Sequence, residues 1–221
     1  FLSVMSHGLR TPLNVVMGYS QMVKDGILGQ INPEQESALE KVIVRSKDLL
    51  SMISEILQVT SIEAGKVKAE MQEIYLAELL DELRSTYEIP LDKKLTFNWD
   101  YPSEPRAMRT DGGKLKHILQ NLINNAIKFT DEGHVTVSAR YSRETKIAEF
   151  KVADTGTGIQ EDLLPLIFEM FRQLDSSQTR NHGGAGVGLY IVKKYLDILG
   201  GKIQVESQVG RGSVFTVTIP C

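Results

Sequence analysis

Apolar residues recur along this chain with two different periods, and the change of period divides it. Through residues 1–25, Leu2, Met5, Leu9, Val16 and Val23 follow an approximate three-to-four spacing with small or polar residues between them. That pattern predicts an amphipathic helix. Gly8 and Pro12 disturb it. A glycine in a helix interior costs about 1 kcal/mol against alanine, and Pro12 cannot donate to the carbonyl of residue 8, so a kink is expected there. Gly26-Ile-Leu-Gly29 through Asn32-Pro33 predicts a turn. Pro33 then opens a second helix, with Asn32 as its cap and Glu34 and Glu36 in its first turn. Val42, Ser46, Leu49, Ile53, Ile56 and Thr60 alternate spacings of four and three, flanked by Leu39, Ile43, Leu50 and Leu57. This is a coiled-coil-like seam broad enough to face more than one helix, and Gly65 ends it. A hairpin of two such helices cannot enclose its own apolar faces. Dimerisation into a four-helix bundle is the expected solution, against the alternative of packing on the rest of the chain.

Beyond Gly65 the period shortens. Val67 to Tyr75 reads as a linker and short strand, Leu76 to Glu88 as a helix, and Lys94 to Tyr101 as a strand. Trp99, the only tryptophan, is assigned to the core. Further strands are expected near 134–142, 147–153, 202–206 and 213–219, and helices over 114–130 and 187–199. The last two strands flank Val209-Gly-Arg-Gly212 and predict a hairpin. The expected architecture is an α+β sandwich, with helices covering one face of a mixed sheet. The domains implied are a helical hairpin over 1–66 and a sandwich over 67–221.

Composition narrows the functional classes. The 221 residues carry 25 basic and 28 acidic side chains, a net charge of -3, which argues against a nucleic-acid-binding face. Cys221 is the only cysteine, so neither an intrachain disulfide nor a cysteine metal site is available. No apolar run approaches the ~18–20 residues that span a bilayer. The chain therefore reads as cytoplasmic, with any membrane attachment placed in a region upstream of Phe1, whose neighbours already look like mid-helix.

Three segments carry candidate chemistry. Asp154-Thr-Gly-Thr-Gly-Ile159 follows the strand-like run Ala148–Ala153. A carboxylate at a strand end can accept a hydrogen bond from an exocyclic amine, and glycines let backbone approach a ligand. On the helix Lys114–Thr130, Leu115, Leu119, Leu122 and Ala126 share one face, while Asn121, Asn125 and Lys128 form a second stripe at i, i+4 and i+7. Asparagine oxygens are hard ligands suited to Mg²⁺, and lysine supplies balancing charge to a triphosphate. Gly183-Gly-Ala-Gly-Val-Gly-Leu189 then opens a helix whose N-terminus suits phosphate. The polar run 172–182 before it reads as a lid. Neither a Walker P-loop nor a Rossmann fingerprint is present. Each segment alone also fits a bland reading: an ordinary turn, a solvated helix face, a surface loop. Their order in one chain favours a nucleotide.

Together these motifs resemble the sensor histidine kinases of two-component signalling. Ser6-His7-Gly8-Leu9-Arg10-Thr11-Pro12-Leu13 looks like the family's phosphoacceptor box, and Asn121 to Thr130 its N box. Asp154 to Ile159 looks like the G1 box, Ile167–Phe171 the F box, and Gly184 to Leu189 the G2 box. The resemblance implies a dimerisation and phosphotransfer bundle followed by an ATP-binding sandwich of the gyrase/Hsp90-like type. By that likeness His7 takes the γ-phosphate of ATP and passes it to an aspartate on a response-regulator receiver domain. Asp154 would bind the adenine amine, Asn125 the Mg²⁺ with help from Asn121, and Lys128 the phosphates. Gly156, Gly158, Gly184, Gly186 and Gly188, with Leu189, would line the pocket. Arg172 or Arg180 would reach the γ-phosphate. His117, His134 and His182 have no comparable support, and no spacing suggests a metal site.

One position departs from the family pattern. Most members carry a glutamate or aspartate directly after the histidine, and here that position is Gly8. The change removes a candidate general base, typically worth 10²–10⁴-fold in rate. Thr11, four residues after His7, keeps the position the family uses to orient water in the reverse, dephosphorylating direction. Besides a kinase core, two other readings stand: a nucleotide-binding or phosphatase-biased signalling scaffold, which Gly8 favours, and a clamp-type ATPase, which the phosphoacceptor box disfavours.

Overall fold

The computed structural model describes residues 2–87, 93–104, 106–170 and 186–221, and of residues 2–7 the backbone alone. The chain divides into two compact units, one containing Phe1–Lys66 and the other opening at Val67.

The first unit is an antiparallel hairpin of α1 (Leu2–Lys24) and α2 (Pro33–Glu63). Helix α1 runs through Gly8 and Pro12 as one continuous element. At the start of α2 the sequence signals act together. Asn32 accepts from the Gln35 amide, and the Gln35 side chain returns a bond to the Asn32 amide, each at 2.9 Å. This capping box satisfies two of the helix's orphan donors. Ala64 closes the helix, and Gly65 follows in the left-handed region at φ 65. Lys24 and Glu40 pair across the hairpin at 2.9 Å.

Within α2 the single seam read from sequence separates into two. Ile43 and Ser46 are buried, and Leu39, Leu50, Ile53 and Leu57 are half-buried. Val42, Leu49 and Ile56 stand 39–47% exposed, seven residues apart. The flanking residues, rather than half of the named seam, face inward. A seven-residue repeat left outward is a second apolar stripe on the same helix.

The second unit is built on a five-stranded sheet in the order β2-β4-β5-β7-β6. Its strands are β2 (Lys94–Asp100), β4 (Glu132–Ser142), β5 (Ile147–Asp154), β6 (Lys202–Gln208) and β7 (Gly212–Pro220). Only β2 and β4 run parallel, so the sheet is mixed as expected. A parallel pair needs a long crossover, and the crossover here contains β3 (Ala107–Thr110) and α4 (Gly112–Lys128). Alternation is strict in the centre: Val135, Val137, Ala139, Ala148, Phe150, Val152, Phe215, Val217 and Ile219 are buried. Helices α3 (Leu76–Thr86), α4 and α5 (Gly188–Leu199) cover that face. Their buried residues include Leu80, Leu83, Leu115, Ile118, Leu119, Leu122, Ile123, Ile191 and Leu196. Each such side chain contributes about 1.5–3 kcal/mol when fully removed from water.

Two elements were absent from the sequence reading. Strand β3 pairs antiparallel with β1 (Gln72–Tyr75), Ile74 opposite Met108, and a 3-10 turn spans Glu161–Leu166. The small β1–β3 ladder delivers Asp111 to the start of α4, where its Oδ1 accepts from the Lys114 amide at 2.9 Å. Its Oδ2 accepts from the Glu70 amide at 2.8 Å and from Lys114 Nζ at 2.6 Å. Burial pushes the Asp111 carboxyl up, but the Lys114 ammonium and the two amides outweigh it and leave it below its ordinary value. Trp99 is half-buried and stacks on Phe97 at 5.3 Å.

Candidate nucleotide site

Asp154 ends β5, and its two carboxylate oxygens are used differently. Oδ1 accepts from the Gly156 amide at 2.8 Å and the Ser213 amide at 3.3 Å. Oδ2 takes no bond among the described residues. Burial raises the Asp154 carboxyl above its ordinary value, against the opposing pull of the two amides.

The loop after Asp154 is fixed from several sides. The Thr157 amide donates to the Phe129 carbonyl at 3.1 Å, and the Gly210 amide donates to the Thr157 carbonyl at 2.8 Å. The Ile159 amide donates to Ser207 Oγ at 2.8 Å, and Ser207 Oγ lies 2.9 Å from Ser213 Oγ. These contacts explain why the loop is glycine-rich. A Cβ on Gly156 would run into the Phe129 carbonyl and stand 2.8 Å from Thr130 Oγ1. One on Gly158, whose φ is 69, would strike the Gln208 carbonyl. The close approach that these glycines permit is therefore to the chain's own backbone.

Helix α4 supplies the second side. Asn121 Nδ2 donates to the His117 carbonyl at 2.9 Å, which fixes the amide and turns Oδ1 towards Gly188. A Cβ on Gly188 would lie 2.6 Å from that oxygen, so glycine at the start of α5 leaves room for the Asn121 amide. The Asn125 side chain makes no hydrogen bond among the described residues, and the Lys128 ammonium lies 5.1 Å from the Phe129 ring centre. Gly156 thus abuts α4 at its C-terminal end and Gly188 abuts it at Asn121. Eight residues separate Asn121 from Phe129, about 12 Å of helix at 1.5 Å per residue.

The structure sets Gly156, held by Asp154, against the C-terminal end of α4, and Gly188 against Asn121 of the same helix, which also carries Asn125 and Lys128; Gly158 packs on Gln208 instead. Gly186 precedes α5 at φ 69, and Leu189 is half-buried in its first turn. Arg172, Arg180, His182 and Gly184 lie outside the described residues, as does Phe171 of the F box. Of that box, Ile167 is buried. In the helical unit the His7 backbone lies within α1, a Cβ on Gly8 would meet nothing within 4 Å among the described residues beyond its own turn of helix, and Thr11 is exposed. Burial lowers the His117 imidazole, which meets Tyr195 edge-on at 5.5 Å. Among the described residues no group of three histidine, cysteine, aspartate or glutamate side chains could hold a metal. No described helix is long and apolar enough to cross a membrane.

Two residues that bear on Asp154 or on the end of α4 escaped the sequence reading: Ser213, whose amide donates to Asp154, and Lys93, whose ammonium donates to the Ile127, Lys128 and Thr130 carbonyls. Ser213 follows Gly212, the glycine that closes the β6–β7 turn, and that was the one available hint. Lys93 precedes an alternating strand with nothing in its spacing to mark it.

Residues 110–221 match the family described as histidine kinase-, DNA gyrase B-, and HSP90-like ATPase, and residues 1–65 match the His Kinase A (phospho-acceptor) domain. The chain belongs to that ATPase family. With the phosphoacceptor domain ahead of it, it is a sensor histidine kinase core. It is 39% identical over 227 residues to the circadian input-output histidine kinase CikA of Synechococcus elongatus, covering 100% of this chain and 29% of that protein. It is 36% identical over 225 residues to the autoinducer 2 sensor kinase/phosphatase LuxQ of Vibrio cholerae, covering 100% of this chain and 26% of that protein. The chain thus spans under a third of the curated relatives it matches. Among solved structures, full-length ShkA in complex with AMPPNP superposes with a TM-score of 0.80 at 29% identity, over 99% of this chain and 45% of that one.

Proposed function

We propose that this chain transfers the γ-phosphate of ATP to His7 and from there to an aspartate of a response-regulator receiver domain. In this reading residues 1–66 form the dimerisation and phosphotransfer hairpin, and 67–221 the catalytic ATP-binding domain. The observation that carries it is the division of labour at Asp154. One oxygen is held by the Gly156 and Ser213 amides, and the other is left to accept the adenine amine. The Gly156 and Gly188 contacts lie roughly 12 Å apart along α4, and Asn121, Asn125 and Lys128 fall within that stretch. The AMPPNP complex of ShkA, which is similar in fold and 29% identical, supports this use of the site.

The roles follow from chemistry. Lys128 holds phosphate, and Gly186, Gly188 and Leu189, at the start of α5, are assigned to it as well; Gly184, outside the described residues, is assigned with them. Arg172 is assigned to the γ-phosphate. The donor set suits Mg²⁺, because Asn125 offers an amide oxygen with no partner among the described residues and Asn121 a second amide oxygen already oriented. When bound, the ion neutralises charge developing on the phosphates. His7 attacks as neutral imidazole, the abundant form near neutral pH. Asn121 is assigned a catalytic role beside its part in holding the ion, and Thr11 is assigned to orient water in the reverse direction. The active species is a homodimer.

Gly8 sets the rate. Nothing in the fold demands glycine there: the position is helical, and a side chain meets open space. Supplying a carboxylate should therefore restore a general base without disturbing the hairpin. Radiolabelled ATP should label the chain faintly at a site that is acid-labile and alkali-stable. Gly8→Glu should raise the initial rate by about 10²-fold, and His7→Ala should abolish the label. Equal label in His7→Ala would sink the assignment. A second reading rests on Gly8 itself: a form biased towards dephosphorylation, the activity paired with kinase in the name of LuxQ. Nucleotide binding without label in Gly8→Glu, together with Thr11-dependent loss of phosphate from a phosphorylated receiver domain, would favour it.

A further inference from the structure

The ammonium of Lys93 sits where no sequence pattern put it. Its side chain is 12% exposed, and Nζ donates to the carbonyls of Ile127 at 2.6 Å, Lys128 at 3.2 Å and Thr130 at 3.1 Å. Asp131 Oδ1 lies 3.1 Å away. These are carbonyls that the end of α4 leaves without helical partners, at the negative end of its dipole. The remaining carbonyl of the turn, that of Phe129, accepts from the Thr157 amide. Every carbonyl from 127 to 130 is therefore engaged, three by one lysine and one by the loop that follows Asp154.

We propose that Lys93 is a positioning residue for the nucleotide site: a built-in ammonium that fixes the last turn of α4, and through it both Lys128 and the Asp154 loop. The inference rests on the reading of Asp154 and Lys128 as nucleotide contacts. The turn has two duties that must stay in register. It carries Lys128 at the site, and it offers the Phe129 carbonyl on which Gly156 and Thr157 are seated. Without Lys93, three carbonyls lose a common donor, and a partly buried turn must recruit water separately for each. Lys128 and the loop are then free to shift relative to one another. The cradle is also specific for an ammonium. Three carbonyls converging on one point suit a compact cation with three rotatable donors, and a planar guanidinium fork cannot serve them together.

The test is ADP binding with Mg²⁺, measured by calorimetry on the unaltered chain, Lys93→Ala, Lys93→Met and Lys93→Arg. Val137→Ala serves as a control for loss of stability alone, since Val137 is buried in β4, carries no polar group and has no assigned role at the site. Lys93→Ala and Lys93→Met should weaken ADP by about tenfold or more, the usual scale for charge-assisted bonds. Lys93→Arg should fail to restore affinity. Propylammonium chloride, which replaces the deleted stem and ammonium, should recover affinity in Lys93→Ala. Tetramethylammonium chloride at equal ionic strength should not. A merely structural role would not produce that rescue. Unchanged affinity in Lys93→Ala would overturn the proposal, as would a loss that Val137→Ala reproduces and propylammonium leaves untouched. If the unaltered chain binds no ADP, the reading of the site has failed and this inference falls with it. Binding there without the Lys93 effect removes the inference alone.

Discussion

At Asp154 the fold and the proposed ligand compete for one carboxylate, and the pH dependence of stability can separate them. Its carboxyl is raised by burial, so the native state holds its proton to higher pH than the unfolded chain does. Stability contributed by the protonated form is complete below the ordinary carboxylate value. It is lost as pH rises from there through the raised native value, and is flat above it. Asp154→Asn keeps an Oδ1 for the Gly156 and Ser213 amides and removes the charge. The variant should melt above the unaltered chain at neutral pH, with each 1 kcal/mol recovered corresponding to about 2–4 °C. The gap should close as pH falls through the same window. Nucleotide affinity should move the opposite way. With Oδ1 occupied, the variant presents Nδ2 where Oδ2 stood, so a donor faces the adenine amine, and a loss of about tenfold or more is expected. Calorimetric melts across pH, with ADP titrations alongside, check both. A variant that melts lower yet binds ADP unchanged would remove Asp154 from the adenine site.

Among the elements, α2, α4 and the central strands were legible because their signals are local. Asn32, Pro33, Glu34 and Glu36 mark the start of α2, and Ala148, Phe150 and Val152 alternate into the core. Asp154 and the Asn121, Asn125, Lys128 stripe were legible because strand ends and helix faces follow from spacing. Strand β3 was not, since its partner β1 lies some 35 residues away and its own four residues carry only Met108 as a buried apolar group. Lys93 and Ser213 act through backbone groups distant in sequence, which no spacing records. The glycines show the same limit from another side. Their presence suggested room for a ligand, yet Gly156 and Gly8 differ in what surrounds them. Gly156→Ala forces a methyl onto the Phe129 carbonyl and should cost about 1–3 kcal/mol as overpacking. ADP affinity should fall with it, because the Thr157 contact must shift. Gly8→Ala meets open space and should stabilise the hairpin by up to about 1 kcal/mol. Urea unfolding of the two variants distinguishes them, and a neutral Gly156→Ala would show that the loop yields more easily than its contacts imply.

At the scale of the molecule, the hairpin has more apolar surface than its own packing uses. Val42, Leu49 and Ile56 repeat every seven residues on α2, and Leu9 and Val16, also seven apart, stand 49% and 45% exposed on α1. Heptad spacing on both helices suits a left-handed seam against a second copy, as a four-helix bundle requires. The chain should therefore sediment as a dimer, and Leu49→Asp, which sets a charge in the middle of that seam, should sediment as a monomer. The residues assigned to the nucleotide all follow Val67 in the chain, so the monomeric variant should keep its ADP affinity. What it should lose is label on His7, if the histidine is reached within a dimer. Sedimentation and ADP titration of the same preparation therefore separate assembly from nucleotide binding. A Leu49→Asp chain that stays dimeric would move the interface elsewhere on the hairpin. One that becomes monomeric and loses ADP binding would mean that the site after Val67 is incomplete without the bundle.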